Sequence, residues 1–418
     1  MEALHIDHVS RYRFPVQIDS YDYRTICLFT ACIVYAIFGS PTPDQIGTAE
    51  VFIFVLLALA IGIGRARDAF LYHTSHSVRV RFWKSAGQVM LIYGLSFPLC
   101  LGVAYGNESR VVLRDVVPFF FLFLPLFLLP VLRARPYYFR SIVCAIMVIG
   151  MMFSLRSLVM RFIADCPIWC GDELLYLENM PTVLFTCLLL IGGAMHIIMQ
   201  GVIARNVIIF YGMLALSLLP LAAMALTLQR ASLGAVALYT LMICGYFFVR
   251  APARAIAMML MGGIAILLVG LSFSALFDPL WVKTQKVGLN MRPQEFAAVW
   301  DIMRADPMTF LFGIGWGGQF NSPAVGGLRV NFTHNFFSTI LLKTGMLGVI
   351  FCIAYILGLL ERLVRVILRH PVFGLALSAP ILIDLSLYAS FKSLDFGLVL
   401  LLISGSLVYF RQSTFNLD

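Results

Sequence analysis

Long apolar runs recur along the whole chain and constrain its fold more than any other feature of the sequence. One of them, VVPFFFLFLPLFLLPVL at residues 116–132, contains no charged side chain. A helix of about 20 apolar residues crosses a hydrocarbon core of about 30 Å, so such runs exclude an ordinary soluble globule. They also exclude a membrane β-barrel, which needs short segments of alternating polarity. The sequence therefore predicts an all-α polytopic membrane protein.

About twelve transmembrane helices are predicted from the lengths of these runs and from the charges beside them. They lie near residues 25–40, 49–64, 86–105, 116–132, 141–163, 183–203, 206–226, 233–249, 255–275, 335–360, 372–390 and 396–410. No linker, composition shift or repeat marks a second domain, so residues 1–418 are predicted to form a single integral membrane domain. The amino-terminal sequence MEALHIDHVSRYRF has no apolar core followed by a cleavage site, and no removable signal peptide is expected.

The basic residues predict the orientation of the chain in the membrane. The formal net charge is +9, from 30 Lys and Arg against 21 Asp and Glu. Most of these cations lie in short loops beside apolar runs, where orientation explains them, so no nucleic-acid partner is expected. Their distribution places both termini in the cytoplasm. The long polar segment 276–334, between helices nine and ten, is then predicted to lie outside.

Two cysteines and three basic residues leave alternatives open. Cys166 and Cys170 lie in the polar loop ADCPIWCGDELL, where they either form a disulfide or remain free thiols. Arg156, Arg161 and Lys343 lie within predicted spans. Each either extends its charge to the membrane surface or lines a polar cavity that an anionic headgroup reaches.

His334 is the candidate general base. It is the one histidine predicted to lie outside, and a helix follows it immediately. The positive end of that helix favours a neutral ring, which can accept a proton near pH 7. The same helix end offers backbone N–H groups to a phosphate. The alternative is that His334 and Asn335 only cap the helix.

Two arginines are candidates for binding an anion. Arg292 precedes Pro293 and begins a segment predicted to be an amphipathic helix on the membrane surface. Its apolar face is expected to comprise Phe296, Val299, Trp300 and Met303, with Glu295, Asp301 and Arg304 off that face. Arg230 lies in the short turn TLQRASLG, which would hold it near the surface. A guanidinium grips phosphate oxygens in pairs, although each arginine alone could be an interfacial anchor.

The run GIGWGG at residues 313–318 lacks the strand–turn–helix setting of a dinucleotide-binding fold. It is predicted to be a flexible turn that acts as a hinge over a site. No paired-carboxylate motif for a metal is present, and two arginines can neutralise a departing diphosphate as a divalent ion does elsewhere. A reaction without a metal is therefore expected.

Taken together, these segments resemble the O-antigen ligase and polymerase superfamily of membrane glycosyltransferases. The turn LQRAS resembles the family's arginine-bearing turn, and RPQEFAAVWDIMRADPMTFLFGIGWGGQF resembles its arginine, tryptophan-containing helix, proline and Gly-x-Gly. THNFFSTILLKTGMLG resembles the family's His-Asn, helix and Gly-x-x-Gly signature. The resemblance covers roughly residues 205–410. Gln229 departs from it, because a hydroxyl residue is common before the arginine, and Asp395 takes the place of a late carboxylate.

The resemblance implies a GT-C-like fold and an inverting, metal-independent glycosyl transfer without a cofactor. The donor would be a glycan on undecaprenyl diphosphate, at the periplasmic face of the bacterial inner membrane. Arg230 and Arg292 would hold the diphosphate and stabilise its departure, while His334 would take the proton of the acceptor hydroxyl. Further substrate-binding residues would be Arg156, Arg161, Asn335, Asp395 and Trp300.

The acceptor separates two versions of this hypothesis. The sequence favours a polymerase that joins repeat units of an O-antigen or exopolysaccharide, with a chain-length regulator or export proteins as further partners. The alternative is a ligase that moves finished glycan to lipid A–core, or to protein. A third hypothesis is a flippase for polyprenyl-linked sugars, for which polar groups near the midplane and matching halves are typical. Here the polar groups lie at the outer end and no halves match.

Overall fold

The computed structural model describes residues 20–39, 47–70, 78–162, 177–273 and 291–415. Eleven helices precede the polar segment: α1 (Ser20–Phe38), α2 (Thr48–Ile61), α3 (Ile63–Phe70), α4 (Val78–Ala104), α5 (Ser109–Phe121), α6 (Leu124–Ala134), α7 (Tyr138–Phe162), α8 (Pro181–Gln200), α9 (Ala204–Leu226), α10 (Arg230–Arg250) and α11 (Pro252–Phe273). Five follow: α12 (Arg292–Arg304), α13 (Pro307–Phe312), α14 (Phe336–Arg369), α15 (Pro371–Ser386) and α16 (Leu394–Phe415). Single 3-10 turns lie at Leu177–Asn179, Pro323–Val325 and Ala389–Lys392. Both Cys166 and Cys170, and the polar segment up to residue 290, lie outside the described residues.

The helices confirm an all-α membrane protein. Within the described ranges, eight helical stretches are long and apolar enough to cross a membrane, and α2 with α3 would make a ninth. Each of the twelve predicted spans coincides with a helix or a pair of helices. The number of crossings and the side on which each loop lies stay predictions.

Two predicted spans are interrupted. The run at 116–132 breaks after Phe121, and α6 restarts with Pro125 in its first turn. A proline lacks the N–H that would continue the preceding helix and clashes with the carbonyl four residues earlier. The span near 49–64 ends at Gly62, whose φ is 71°. There α2 and α3 meet at a bend of 76°.

The interior of the bundle is centred on α8 and α16. Both helices bury nearly their whole circumference; in α16, every side chain from Leu398 to Ile403 is at most 1% exposed. A helix that is apolar all round belongs in the interior of a large protein or membrane domain. Peripheral helices instead expose large apolar side chains such as Ile208 and Leu241. The lipid-facing surface is therefore formed by the outer helices.

A kink in α14 sets the position of the glycine-rich segment. Gly345 has φ 66° and ψ −170° inside this helix, so three carbonyls before it lose their helical partners. Other groups satisfy them: Leu342 O accepts from Ile314 N–H (2.9 Å), Lys343 O from Gly315 N–H (3.1 Å) and Thr344 O from the Tyr93 hydroxyl (2.7 Å). Unsatisfied backbone groups are costly inside a membrane, so the segment closes a break in the helix.

Asp115 holds the other end of the glycine-rich segment through Gly317. Its carboxylate forms ion pairs with Lys343 and Lys392, both at 2.6 Å, and accepts from Gly317 N–H at 2.9 Å. The side chains of Asp115 and Lys343 are both fully buried. Lys343 therefore neither reaches the surface nor faces an open cavity. The run GIGWGG is buried and bound on both sides, so the prediction of a flexible hinge is wrong.

The remainder of the polar segment forms a small hairpin. Strands β1 (Phe320–Ser322) and β2 (Leu328–Val330) pair antiparallel, with Asn321 opposite Arg329. The chain then returns to Asn331, whose carbonyl accepts from Lys392 at 3.1 Å. The Asp115 network thus fixes both the beginning of this segment and the residues just before α14.

Candidate active site

Three helix N-termini meet at one end of the bundle. Arg230 begins α10, Arg292 begins α12, and His334 and Asn335 immediately precede α14. Each N-terminus carries a partial positive charge. An end of the protein that gathers three of them, with two arginines, is suited to an anion.

Each of the two arginines follows a residue with an unusual backbone conformation. Among the described residues, Leu228 (φ 57°) and Met291 (φ 56°) are the two non-glycine residues with positive φ. Leu228 lies two residues before Arg230, and Met291 lies directly before Arg292. A non-glycine residue in a sparsely populated region costs about 1–3 kcal/mol and persists only where its surroundings hold it. Such strain is typical of functional sites, and here it occurs in front of both candidate arginines.

Arg230 and Arg292 lie close enough for their charges to interact. Burial, and less strongly the charge of Arg230, lower the pKa of the Arg292 guanidinium, while Tyr388 and Glu295 act in the opposite direction. The Nε of Arg292 is buried and has no hydrogen-bond partner. Like charges held together, with an unused donor, form a site that a bound anion would stabilise.

Tyr388 links the two arginines to the end of α15. Its hydroxyl lies near Ser232 on the first turn of α10 and is close enough to Arg292 and Arg230 to interact with their charges. Burial raises the pKa of Tyr388, although the nearby Ser232 hydroxyl and the charges of both arginines partly oppose this shift. The phenol is therefore neutral at physiological pH and can donate a hydrogen bond to an oxygen atom beside Arg292.

His334 pairs with a buried carboxylate. Its Nδ1 lies 3.2 Å from both oxygens of Glu295, and its backbone N–H donates to Oε2 at 2.9 Å. Ser322 donates its hydroxyl to Oε1 at 2.5 Å. Glu295 is 2% exposed, on the first turn of α12. The carboxylate keeps the ring proton on Nδ1, so Nε2 carries the lone pair that can accept a proton.

Glu295 is held as an anion by these contacts. Burial alone would raise its pKa, but hydrogen bonds from the His334 ring, the Ser322 hydroxyl and the His334 backbone together hold the pKa of Glu295 below its usual value. A carboxylate that accepts several hydrogen bonds favours its charged form. The pair therefore combines an oriented imidazole with a fixed negative charge that stabilises it when it becomes protonated.

Asn335 caps α14, whereas His334 does not. The Asn335 Oδ1 accepts from Phe337 N–H at 2.9 Å and from Ser338 N–H at 3.2 Å. Its Nδ2 donates to Ser386 O at 3.4 Å, which ties this helix start to the end of α15. Of the two residues considered as helix caps, only Asn335 has that role, and the His334 ring is left to Glu295.

Two further buried polar atoms lack partners, one beside Arg230 and one on a carboxylate whose charge acts on Tyr388. Gln229, which precedes Arg230, accepts from Ser232 at 3.1 Å, but its Nε2 has no acceptor. Asp384 accepts from Ser390 at 2.7 Å through Oδ1, and its Oδ2 has no donor. Buried polar groups normally have partners. With Arg292 Nε, these atoms are three buried polar groups that the described residues do not satisfy.

Arg156 and Asp395 belong to a different buried network. Arg156 donates to the carbonyls of Ala36 (3.2 Å) and Gly39 (3.0 Å) at the end of α1. Asp395 accepts from the hydroxyls of Tyr35 and Thr182, both at 2.5 Å. Both side chains are at most 1% exposed. Their contacts join α1, α7, α8 and α16, and no hydrogen bond connects either of them to His334 or Arg292.

Arg161 and Trp300 are exposed. Arg161 lies at the end of α7, where its charge is near the buried carboxylate of Glu178. Trp300 is 38% exposed, stacks on Phe296 at 6.5 Å and contacts the Phe310 ring edge at 6.0 Å. Neither residue forms a hydrogen bond with Arg292 or His334.

The amphipathic face predicted for α12 is only partly right. Val299 and Met303 are buried, but Phe296 and Trp300 are exposed, and Glu295 completes the buried stripe. Glu295 tolerates burial because three donors surround it. Sequence reasoning missed its role, although its position one turn after Arg292 was a usable signal. Tyr388 was missed as well, and no local pattern marks it.

Comparison of the chain with models of known protein families and with curated proteins finds no match. In the described parts of the chain, no three His, Cys, Asp or Glu side chains lie together as a metal site requires.

Proposed function

We propose that this protein is a membrane glycosyltransferase that transfers a glycan from a polyprenyl diphosphate to an acceptor hydroxyl. One observation carries the proposal: Arg230, Arg292 and the His334–Glu295 pair converge at three helix N-termini in an apolar bundle. The resemblance of the same segments to the O-antigen ligase and polymerase superfamily supports it.

The cations suit a lipid diphosphate as donor. Arg230 and Arg292 supply two permanent positive charges at the N-termini of α10 and α12, where the partial positive charge of each helix end adds to them. Tyr388 adds a neutral hydroxyl. Two positive charges at the end of a membrane helix bundle suit a diphosphate whose polyprenyl chain stays in the lipid. We propose undecaprenyl diphosphate, at the periplasmic face of a bacterial inner membrane.

The His334–Glu295 pair suits activation of the acceptor. The acceptor hydroxyl gives its proton to His334 Nε2 while its oxygen forms a bond to the anomeric carbon. The bond from that carbon to the diphosphate oxygen breaks, and the electron pair leaves with the diphosphate. Arg230 and Arg292 neutralise the charge that grows on the leaving group, and Glu295 stabilises the imidazolium. Attack opposite the leaving group inverts the anomeric centre, and no step requires a metal.

The proposed acceptor is the growing glycan of an O-antigen or exopolysaccharide polymerase. The test is the glycan content of a strain that lacks the protein. Lipid-linked single repeats should accumulate if it is a polymerase. Finished polymer that stays on its lipid would instead identify a ligase. Unchanged surface glycan and unchanged lipid intermediates would contradict glycosyl transfer altogether.

A further inference from the structure

A second group of cations lies at the opposite end of the bundle. Lys84 is near the start of α4, Arg133 is near the end of α6, and Arg362 lies in the last third of α14. The charge of Lys84 interacts with those of Arg133 and Arg362, and Arg362 interacts with Arg133. From His334 to Arg362 is roughly 40 Å along a helix at 1.5 Å per residue. This cluster is therefore separate from the candidate active site.

Arg362 is the buried centre of the cluster. It is 5% exposed, and its guanidinium carbon lies 4.3 Å from the centre of the Trp83 ring. It donates from Nη1 to the Ser404 hydroxyl at 3.3 Å, while its Nε has no partner. The indole N–H of Trp83, 1% exposed, has no partner either. Two buried donors in contact thus lack an acceptor.

In the described parts of the chain, no carboxylate forms an ion pair with any of these three cations. Glu361 is the acidic residue that interacts with Arg362, but it is bound at 2.6 Å by Arg365. Cations brought together without an anion repel one another, and burial increases the cost. A bound anion would offset the repulsion between the cations and accept hydrogen bonds from the buried donors.

We propose that Lys84, Arg133 and Arg362, with the Trp83 indole, form a binding site for a phosphate group. A guanidinium presents paired donors to phosphate oxygens, and an ammonium adds a point charge. Basic pockets between transmembrane helices are known to take the headgroups of anionic lipids. A phospholipid phosphate and a free phosphate compound share this chemistry, and binding experiments separate the two sources.

The test measures binding to purified protein in a neutral detergent. Native mass spectrometry follows bound short-chain phosphatidic acid, with short-chain phosphatidylcholine as the reference lipid. Wild type should prefer phosphatidic acid, and the variant Lys84→Gln/Arg133→Gln should bind it at least about tenfold more weakly, since each charged hydrogen bond contributes about one factor of ten or more. Arg362 stays in place because its burial makes a folding defect the expected result of replacing it.

The matched control is Arg250→Gln. Arg250 is also basic and exposed and lies over the Tyr246 ring at 5.2 Å, on a different helix. It should bind phosphatidic acid as wild type does. Inorganic phosphate that displaces the lipid would identify a site for phosphate itself, whereas lipid binding that resists phosphate would identify a lipid site; both support the proposal. Equal binding by wild type and the double variant, or an equal loss in Arg250→Gln, would overturn it.

Discussion

Glu295→Gln is the most informative single substitution because it changes one charge and almost no volume. The carboxylate accepts from Ser322 Oγ at 2.5 Å, from His334 N–H at 2.9 Å and from His334 Nδ1 at 3.2 Å. An amide has one oxygen that can accept, and its NH2 group must face a donor. The favoured state of the His334 ring then has Nδ1 accepting a hydrogen bond from this NH2 group and the proton on Nε2. That tautomer cannot take a proton from the acceptor hydroxyl.

The expected loss has two parts. Hydrogen bonds to a charged group contribute about 1.5–3 kcal/mol each, against about 0.5–1.5 kcal/mol for neutral ones. Replacing the charged acceptor and losing one bond should lower the free energy of unfolding by about 2–4 kcal/mol. The rate of glycan transfer should fall further, by about 100-fold to 10,000-fold, which is the range for removing general-base catalysis or fixing the wrong tautomer.

The pH dependence of stability checks the same charge. Because hydrogen bonds hold the folded-state pKa of Glu295 below its unfolded value, the carboxylate stabilises the fold above about pH 4.3. This contribution is lost as the pH falls through the lower folded-state pKa. The difference in unfolding free energy between wild type and Glu295→Gln should therefore shrink as the pH falls below about pH 4.3.

The assay compares purified variants in transfer from a lipid-linked donor and in thermal unfolding. Asp301→Asn is the control, since Asp301 is an exposed carboxylate on the same helix, paired with Arg304 at 2.7 Å. It should match wild type in both measurements. Transfer by Glu295→Gln within about threefold of wild type, less than 1 kcal/mol in barrier, would refute the role assigned to the pair.

Three other results are expected. Arg292→Lys should transfer glycan at least about tenfold more slowly, because an ammonium cannot make the paired contact. The control Arg304→Lys, on the same helix, should transfer glycan at the wild-type rate. Full activity in Arg292→Lys would mean that Arg292 is only a membrane anchor. Gly345→Ala should lower the melting temperature, since φ is 66° and a Cβ would lie 2.4 Å from the Leu311 carbonyl. Gly245→Ala is the control, because a Cβ there would meet no atom within 4 Å. An unchanged melting temperature in Gly345→Ala would contradict the kink. A chelator should leave the transfer rate of purified protein unchanged, and inhibition that added Mg²⁺ reverses would contradict a metal-free reaction.

The helices could be predicted because their cause is local. A run such as residues 116–132 must cross or enter the hydrocarbon core, and its backbone must then form helical hydrogen bonds. The breaks inside such runs were less visible. Pro125 interrupts the helix within residues 116–132, yet the apolar character continues through the break. The length of the apolar run therefore predicts one helix where the structure has α5 and α6.

The candidate site depends on contacts between distant parts of the chain. Glu295 and His334 are separated by 39 residues, and Asp115 reaches Gly317 across 202. Periodicity placed Glu295 off the buried face of α12 because it treats every carboxylate as solvated. A carboxylate with three donors is instead stable when buried, and only the folded chain supplies those donors. The glycine run was read as flexible for the same reason, since its partners on α4, α5 and α14 are not local.

In the proposed reaction, His334 takes the proton of the acceptor hydroxyl, and Arg230 and Arg292 bind the diphosphate of the donor. The most direct measurement is a single-turnover assay of purified His334→Ala with a lipid-linked donor, beside binding of the same donor. His196→Ala, at an exposed histidine beside Phe247, is the control and should resemble wild type. We predict that His334→Ala binds donor within about threefold of wild type while transfer falls by about 100-fold or more. Transfer at the wild-type rate by His334→Ala would contradict the account.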